Sequence, residues 1–207
     1  MIRSKPITLC IIAICSLFLF SCKEKVKKEE SAEIVEVKAA VDEKAMTKLA
    51  DSIAIHAQKT LLSNVANAIE KGGTEHAVDF CNTTAISITD SIADLYTVNI
   101  HRITNKPRNP DNHLATAQDS LVWNRMLQFA QNEGKLPAGS LENDGVDYYY
   151  YKPIAMGMPT CVQCHGGAND INPRTKDIIN QRYPNDQATG YKTGDFRGLW
   201  KIKMESL

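Results

Sequence analysis

Apolar positions recur along this chain with two periods, and each period predicts its own kind of element. From about Asp42 to Lys71 the residues Leu49, Ile53, Leu61, Val65 and Ile69 keep helical spacing until Gly72-Gly73 ends the run. That stretch predicts an amphipathic helix. A second helix is predicted from Glu75 to about Asp90, with Ala77, Cys81, Thr84 and Ile88 on one face and Phe80 beside them. Cys81 therefore points inward. A period of two takes over at Leu95–Thr104 (LYTVNIHRIT), predicting a strand with Tyr96, Val98, Ile100 and Arg102 on one face and His101 on the other. Asn105–Asn112 (NKPRNPDN) is rich in proline and asparagine and reads as a loop. Beyond it come a helix over Ala117–Asn132, a tyrosine-rich strand over Val146–Met156 and a short helix over about Arg174–Arg182. A turn-rich segment then runs through Gly194, and a last strand spans Gly198–Met204. Helices first, then strands mixed with helices and long loops, predict an α+β domain.

The start of the chain follows a different pattern. Arg3 and Lys5 precede a predominantly apolar run from Ile7 to Phe20, too short for a comfortable membrane span and built like a secretory signal. The run ends in Leu19-Phe20-Ser21-Cys22, which resembles a bacterial lipobox. Residues 1–21 are therefore expected to be a signal peptide, with Cys22 the acylated first residue of the mature chain. Residues 22–41 are dense in Lys and Glu and carry no aromatic side chain, as in a solvated tether. About twenty flexible residues span on the order of 25 Å, enough to hold a domain just off a membrane. Residues 42–207 remain as the domain itself. The expected location is extracytoplasmic, anchored through lipid to a bacterial membrane.

Charge narrows the function classes. Lys and Arg total 24 and Asp and Glu total 24, so nothing here supports nucleic-acid binding.

The strongest chemical signal is Cys161-Val162-Gln163-Cys164-His165. C-x-x-C-H is the attachment signature of haem c. Two thiols one helical turn apart can add across the two porphyrin vinyl groups, and the histidine that follows can ligate the iron. A thioredoxin-like pair expects a βαβ context, and a zinc site expects a second pair of ligands nearby; the sequence offers neither. Of the six cysteines, Cys10 and Cys15 leave with the signal peptide, Cys22 is lipidated and Cys161 and Cys164 hold the haem. Cys81 is left over. By itself it reads equally as a small buried hydrophobe.

Four segments together resemble one family. They are Ala77-Val78-Asp79-Phe80-Cys81; Arg102 with Lys106-Pro107-Arg108-Asn109-Pro110; Lys152-Pro153-Ile154 leading to Cys161–Gly166; and Tyr183-Pro184 with Asp186, Ala188-Thr189-Gly190-Tyr191-Lys192, Gly194-Asp195 and Arg197-Gly198. In order and spacing they are similar to the haem-c-binding, PAS-like domains found as stand-alone cytochromes and as extracytoplasmic sensor regions of histidine kinases and chemoreceptors. The resemblance covers about Leu49 to Met204. It implies a PAS-like α+β fold with one covalent haem c, and Cys81 as an iron ligand opposite His165. One departure is that the loop after Pro110 runs through His113-Leu114-Ala115-Thr116, where family members often continue toward an acidic, proline-containing helix start.

Other iron ligands stay open from the sequence: His56, His76, His101, His113 and Met204, with Met156 and Met158 as pocket lining. Arg102, Arg108 and Arg197 lie in the matching segments and are candidate partners of the haem propionates. Tyr148 to Tyr151 reads as a half-buried strand rather than a radical site. The expected function is redox or gas sensing, or low-potential electron transfer, with a diatomic gas as a possible ligand and a separate redox or signalling protein as partner. A small haem enzyme such as a peroxidase and a binding module with a structural haem are the alternatives; a redox carrier or sensor is favoured over an enzyme.

Overall fold

A computed structural model describes residues 42–204; the expected signal peptide, Cys22 and the tether lie outside them. Among the described residues five α-helices and four strands follow in order: α1 (Glu43–Thr83), α2 (Ala85–Tyr96), β1 (Asn99–Ile103), α3 (Ala117–Glu133), β2 (Ser140–Asn143), β3 (Tyr148–Ala155), α4 (Pro159–His165), α5 (Pro173–Arg182) and β4 (Phe196–Met204). The four strands form one antiparallel sheet in the order β1-β4-β3-β2, so the last strand lies between the first and third. This is the α+β architecture the pattern predicts. No helix among the described residues is long and apolar enough to cross a membrane.

Strand parity sorts the core into two layers. On one face Tyr150, Trp200, Ile202 and Met204 meet Met46, Ile53 and Leu61 of α1 and Ile92 of α2. Each large aliphatic side chain buried there contributes roughly 1.5–3 kcal/mol. On the other face Tyr151 and Leu199 meet Val122, Trp123 and Met126 of α3, with Trp123 stacked on Phe196. Polar bolts hold both layers to the sheet. Tyr150 donates its hydroxyl to Asp51 of α1, and Tyr151 donates to Asp119 of α3. The tyrosine run is thus a structural strand, as its alternation implies.

Local chemistry sets the helix ends. Asp42 caps α1 through the Ala45 amide, and Thr116 and Asp119 form a reciprocal capping box at the start of α3. Gly72-Gly73 redirects α1 instead of ending it. Gly73 has φ 74° and ψ −172°, a region open essentially to glycine alone, and the helix resumes to Thr83. The expected Glu75–Asp90 helix is broken at Thr84 (φ −123°), and its second half continues as α2 to Tyr96. Leu95 and Tyr96 are therefore helical and exposed rather than the start of a strand. Strand β2, which the sequence pattern does not predict, pairs with Tyr148–Tyr151 at the sheet edge.

Candidate functional site

The second limb of α1, helix α4, helix α5 and the loop before β4 converge on one side of the domain. Val78 of α1 packs with Ile171, Ile179 and Tyr183, and Cys164 joins that cluster. Thr74 and Thr175 share a buried hydroxyl contact at 2.5 Å, and Arg182 of α5 pairs with Asp79 at 2.6 Å. These contacts bring the segment carrying Cys81 to the segment carrying the C-x-x-C-H motif.

Helix α4 consists of little more than that motif. Pro159 opens it, Cys161 and Cys164 lie one turn apart as half-buried free thiols, and His165 is its last residue. Gly166 is required by close approach: a Cβ there would fall 2.5 Å from the Val162 carbonyl oxygen and 2.6 Å from Asp170 Cβ. The loop over residues 186–191 then runs beside the helix end. The Gly190 amide donates to the Gly166 carbonyl at 2.8 Å and the Tyr191 amide to the His165 carbonyl at 3.0 Å.

The same loop holds the imidazole. His165 Nδ1 lies 2.8 Å from the Ala188 carbonyl oxygen. A carbonyl can only accept, so Nδ1 carries the proton and Nε2 keeps its lone pair for a metal. Burial, reinforced by the positive charges of Arg108 and Arg197, pushes the His165 pKa well below its ordinary value. The ring is neutral at pH 7, the form that coordinates iron.

Arginines surround it. Arg108 Nη2 donates to the Cys164 carbonyl at 2.6 Å and to Asp186 Oδ2 at 2.9 Å, with the Ala188 carbonyl at 3.4 Å. Its Nε is buried with no partner, as is the hydroxyl of Tyr191. Arg197 occupies a β-bulge: Ile154 opposes Gly198 and Ala155 opposes Phe196, leaving Arg197 unpaired in the β3–β4 ladder. A bulge re-aims its side chain, and Arg197 Nη1 reaches Thr104 Oγ1 at 3.1 Å and the Lys106 carbonyl at 3.3 Å. Arg102 projects over the Trp200 ring, 5.9 Å from its centroid, and burial pulls its pKa down. Among the described residues neither Arg102 nor Arg197 has a carboxylate partner, whereas Arg108 has Asp186.

Cys81 lies within reach of the same arginine charges. Burial raises its thiol pKa, and the charges of Arg102 and Arg108 oppose that rise. Cys164 is pushed up to about 11, again by burial, against the pull of Arg108. Each thiol is protonated at pH 7 without a metal or other electrophile to take its sulfur.

The donor set fits haem c. Two thiols and a neutral imidazole share one short helix, and the Cys81 thiol of α1 is near enough to bear on the titration of Cys164. Two guanidinium groups without carboxylates await anions, and the Arg108 Nε–H and the Tyr191 hydroxyl lack acceptors. Other candidate ligands also lie among the described residues. Met204 is buried in the α1–sheet core, His56 bonds Tyr96 and His113 bonds the Pro110 carbonyl. His76 and His101 are exposed, Met156 is buried and Met158 lies at the surface. No group of three or more His, Cys, Asp or Glu among the described residues is arranged to hold a metal ion, as a zinc site would need. Sequence reasoning gave Asp186, Ala188 and Tyr191 no separate roles. They lie in a segment quoted for the family resemblance, which is the only signal that points to them.

Over residues 24–205 the chain matches the family model described as Tll0287-like. It belongs to that family. Among solved structures the chain is similar to the crystal structure of the cyanobacterial haem protein Tll0287. Identity is 22%, covering 81% of this chain and 98% of that one, with a TM-score of 0.55. At that identity the likeness concerns the fold. No curated protein matches the chain.

Proposed function

We propose that this chain is a membrane-anchored, mono-haem c-type cytochrome with a PAS-like domain, acting outside the cytoplasm in redox or gas sensing or in low-potential electron transfer. The observation that carries the reading is the His165 imidazole, neutral and held through Nδ1 by Ala188, at the end of the helix that bears Cys161 and Cys164. Family membership and the haem protein among its structural neighbours support it.

Each residue has a defined part. Cys161 and Cys164 would hold the haem through thioether bonds, each S–H adding across one vinyl C=C, sulfur to one carbon and hydrogen to its neighbour, with no net redox change. His165 Nε2 would hold the iron from α4, and Cys81 Sγ would hold it from α1. Arg102 and Arg197 hold the propionates, with the Tyr191 hydroxyl as a further donor; Arg108 contributes its free Nε–H. When bound, the haem supplies a one-electron ferric/ferrous couple. Thiolate donation from Cys81 favours the ferric state and lowers the potential.

Cys81 also gives the site a moving part. Were the iron reduced and its hold on the thiolate weakened, Cys81 Sγ would take a proton from solvent and would leave its position to a diatomic gas. The segment from Thr74 to Thr83 is bounded by non-helical Gly72-Gly73 and by Thr84, so withdrawal of Cys81 moves a short rod. A redox-silent structural haem has no use for such a ligand, and a peroxidase requires an open iron position with an acid–base group beside it.

Expression with a haem c maturation system, followed by denaturation, tests the core of the proposal. Haem should stay on the chain with a thioether-type pyridine haemochrome spectrum and be lost from the Cys161→Ala/Cys164→Ala variant. A colourless wild-type protein sinks the reading. The anchor is tested separately: labelled fatty acid should enter the wild type and not the Cys22→Ala variant.

A further inference from the structure

Asp186 is a buried carboxylate for which haem attachment has no direct use. Its side chain is 7% exposed and both of its oxygens are engaged. Oδ1 accepts from the Ala188 amide at 2.8 Å, and Oδ2 accepts from Arg108 Nη2 at 2.9 Å. Ala188 is also the residue whose carbonyl takes the His165 Nδ1 proton, at 2.8 Å. Arg108 stands close to that same carbonyl, at 3.4 Å, while donating to the Cys164 carbonyl at 2.6 Å. One further bond, from the Gln187 amide to the Pro107 carbonyl at 3.0 Å, ties the Asp186 loop to the loop that carries Arg108.

Two donors thus compete for one oxygen. The Ala188 carbonyl has lone pairs for both, but its bond to the imidazole is strongest while the charged Arg108 is drawn elsewhere and stays at 3.4 Å. The carboxylate is the group that draws it, because a charge-assisted bond to Asp186 is stronger than one to a neutral carbonyl. The same carboxylate pins the Ala188 amide and so fixes the turn that presents the carbonyl. A hydrogen bond from Nδ1–H raises the basicity of the opposite ring nitrogen, so whatever controls that bond controls the donor strength of Nε2.

We propose that Asp186 is a positioning residue for His165: it keeps Arg108 to a long 3.4 Å contact with the Ala188 carbonyl and leaves that oxygen's stronger bond to the imidazole. The proposal rests on the reading of His165 as a haem ligand. Without the carboxylate, Arg108 turns to the Ala188 carbonyl, the Nδ1–H bond weakens and Nε2 becomes a poorer donor to ferric iron. The freed positive charge acts in the same direction, and both raise the reduction potential.

The test uses haem-loaded protein, wild type against Asp186→Asn and the charge-neutral double variant Asp186→Asn/Arg108→Gln. Two properties are read: the potential by spectroelectrochemical titration, and the exchange rate of the His165 Nδ1 proton by NMR in the ferrous carbon monoxide complex, which is diamagnetic. Asp186→Asn should shift the ferric/ferrous ratio at fixed potential by about tenfold toward ferrous, about 59 mV for one electron, and should speed Nδ1–H exchange. The double variant removes the competing donor and should bring the exchange rate back toward wild type. An unchanged potential and exchange rate in Asp186→Asn overturn the proposal, as does a shifted potential with unchanged exchange, which would reduce Asp186 to a distant charge. If Asp186→Asn fails to accumulate, the Arg108→Gln single variant decides: relieved competition predicts exchange no faster than wild type, and faster exchange is contrary. A wild-type protein without haem would instead defeat the underlying reading and is told apart by its colour alone.

Discussion

Arg102 lies 5.9 Å above the centre of the Trp200 ring, a cation held on an indole with no carboxylate to neutralise it among the described residues. The indole is fixed in turn, since its Nε1–H donates to Gln58 Oε1 at 2.7 Å. A guanidinium kept this way is available to an anion from outside the chain. It also bears on Cys81, whose thiol pKa the Arg102 charge pulls down against burial.

Loss of that charge should favour ferric haem. Arg102→Gln is expected to lower the reduction potential by tens of millivolts, the effect of about 1 kcal/mol for a charge acting through an effective dielectric of ~20. Arg102→Lys should keep most of the wild-type value. Spectroelectrochemical titration of the loaded proteins measures both.

Asp119 and Lys201 make a different kind of pair. The carboxylate is buried on α3, accepts from Lys201 at 2.7 Å and Tyr151 at 2.8 Å, and serves the capping box as well. Asp119→Ala strands Lys201 and is expected to cost about 3–5 kcal/mol, read as a lower urea midpoint with an unchanged slope.

The same group sets an acid limit. Burial would raise the Asp119 pKa, but the bonds from Lys201 and Tyr151 outweigh it and hold the pKa below its ordinary 3.8. A folded-state pKa below the unfolded value means stability that is complete above about pH 4 and lost as pH falls through the folded pKa. Thermal melts on acidification should show that loss in the wild type and less of it in Asp119→Asn.

Gly73 should resist substitution. Its φ of 74° with ψ of −172° excludes side chains, so Gly73→Ala is expected to cost about 1–3 kcal/mol. Gly134→Ala, where φ is 63° and a Cβ would meet nothing within 4 Å, should cost less. Differential scanning calorimetry of the two variants makes the comparison.

What could be read from the sequence was what side chains encode. The α3 helix is legible in the spacing of Leu121, Leu127 and Ala130, and α4 in cysteines one helical turn apart. Arg102 was assigned to the inner face by parity with Ile100, and it projects onto Trp200 of that layer. The failures are equally physical. Leu95-Tyr96-Thr97-Val98 has strand composition, yet α2 runs on through Tyr96 because Thr97 supplies a left-handed cap at φ 53°. Strand β2 has only four residues of mixed polarity and exists by pairing with the tyrosine strand. The acceptor for His165 is a main-chain carbonyl, which any residue type would provide, so no pattern of side chains could name Ala188.

The central claim is ligation by His165 and Cys81, and ferric and ferrous absorption with magnetic circular dichroism tests it most directly. Haem-matured wild type should show low-spin thiolate features in the ferric state, absent from Cys81→Ser. In that variant the potential should rise by on the order of 0.1 V, well inside the ~0.8 V that axial ligands command. Identical wild-type and Cys81→Ser spectra would contradict the account and leave Cys81 a core thiol.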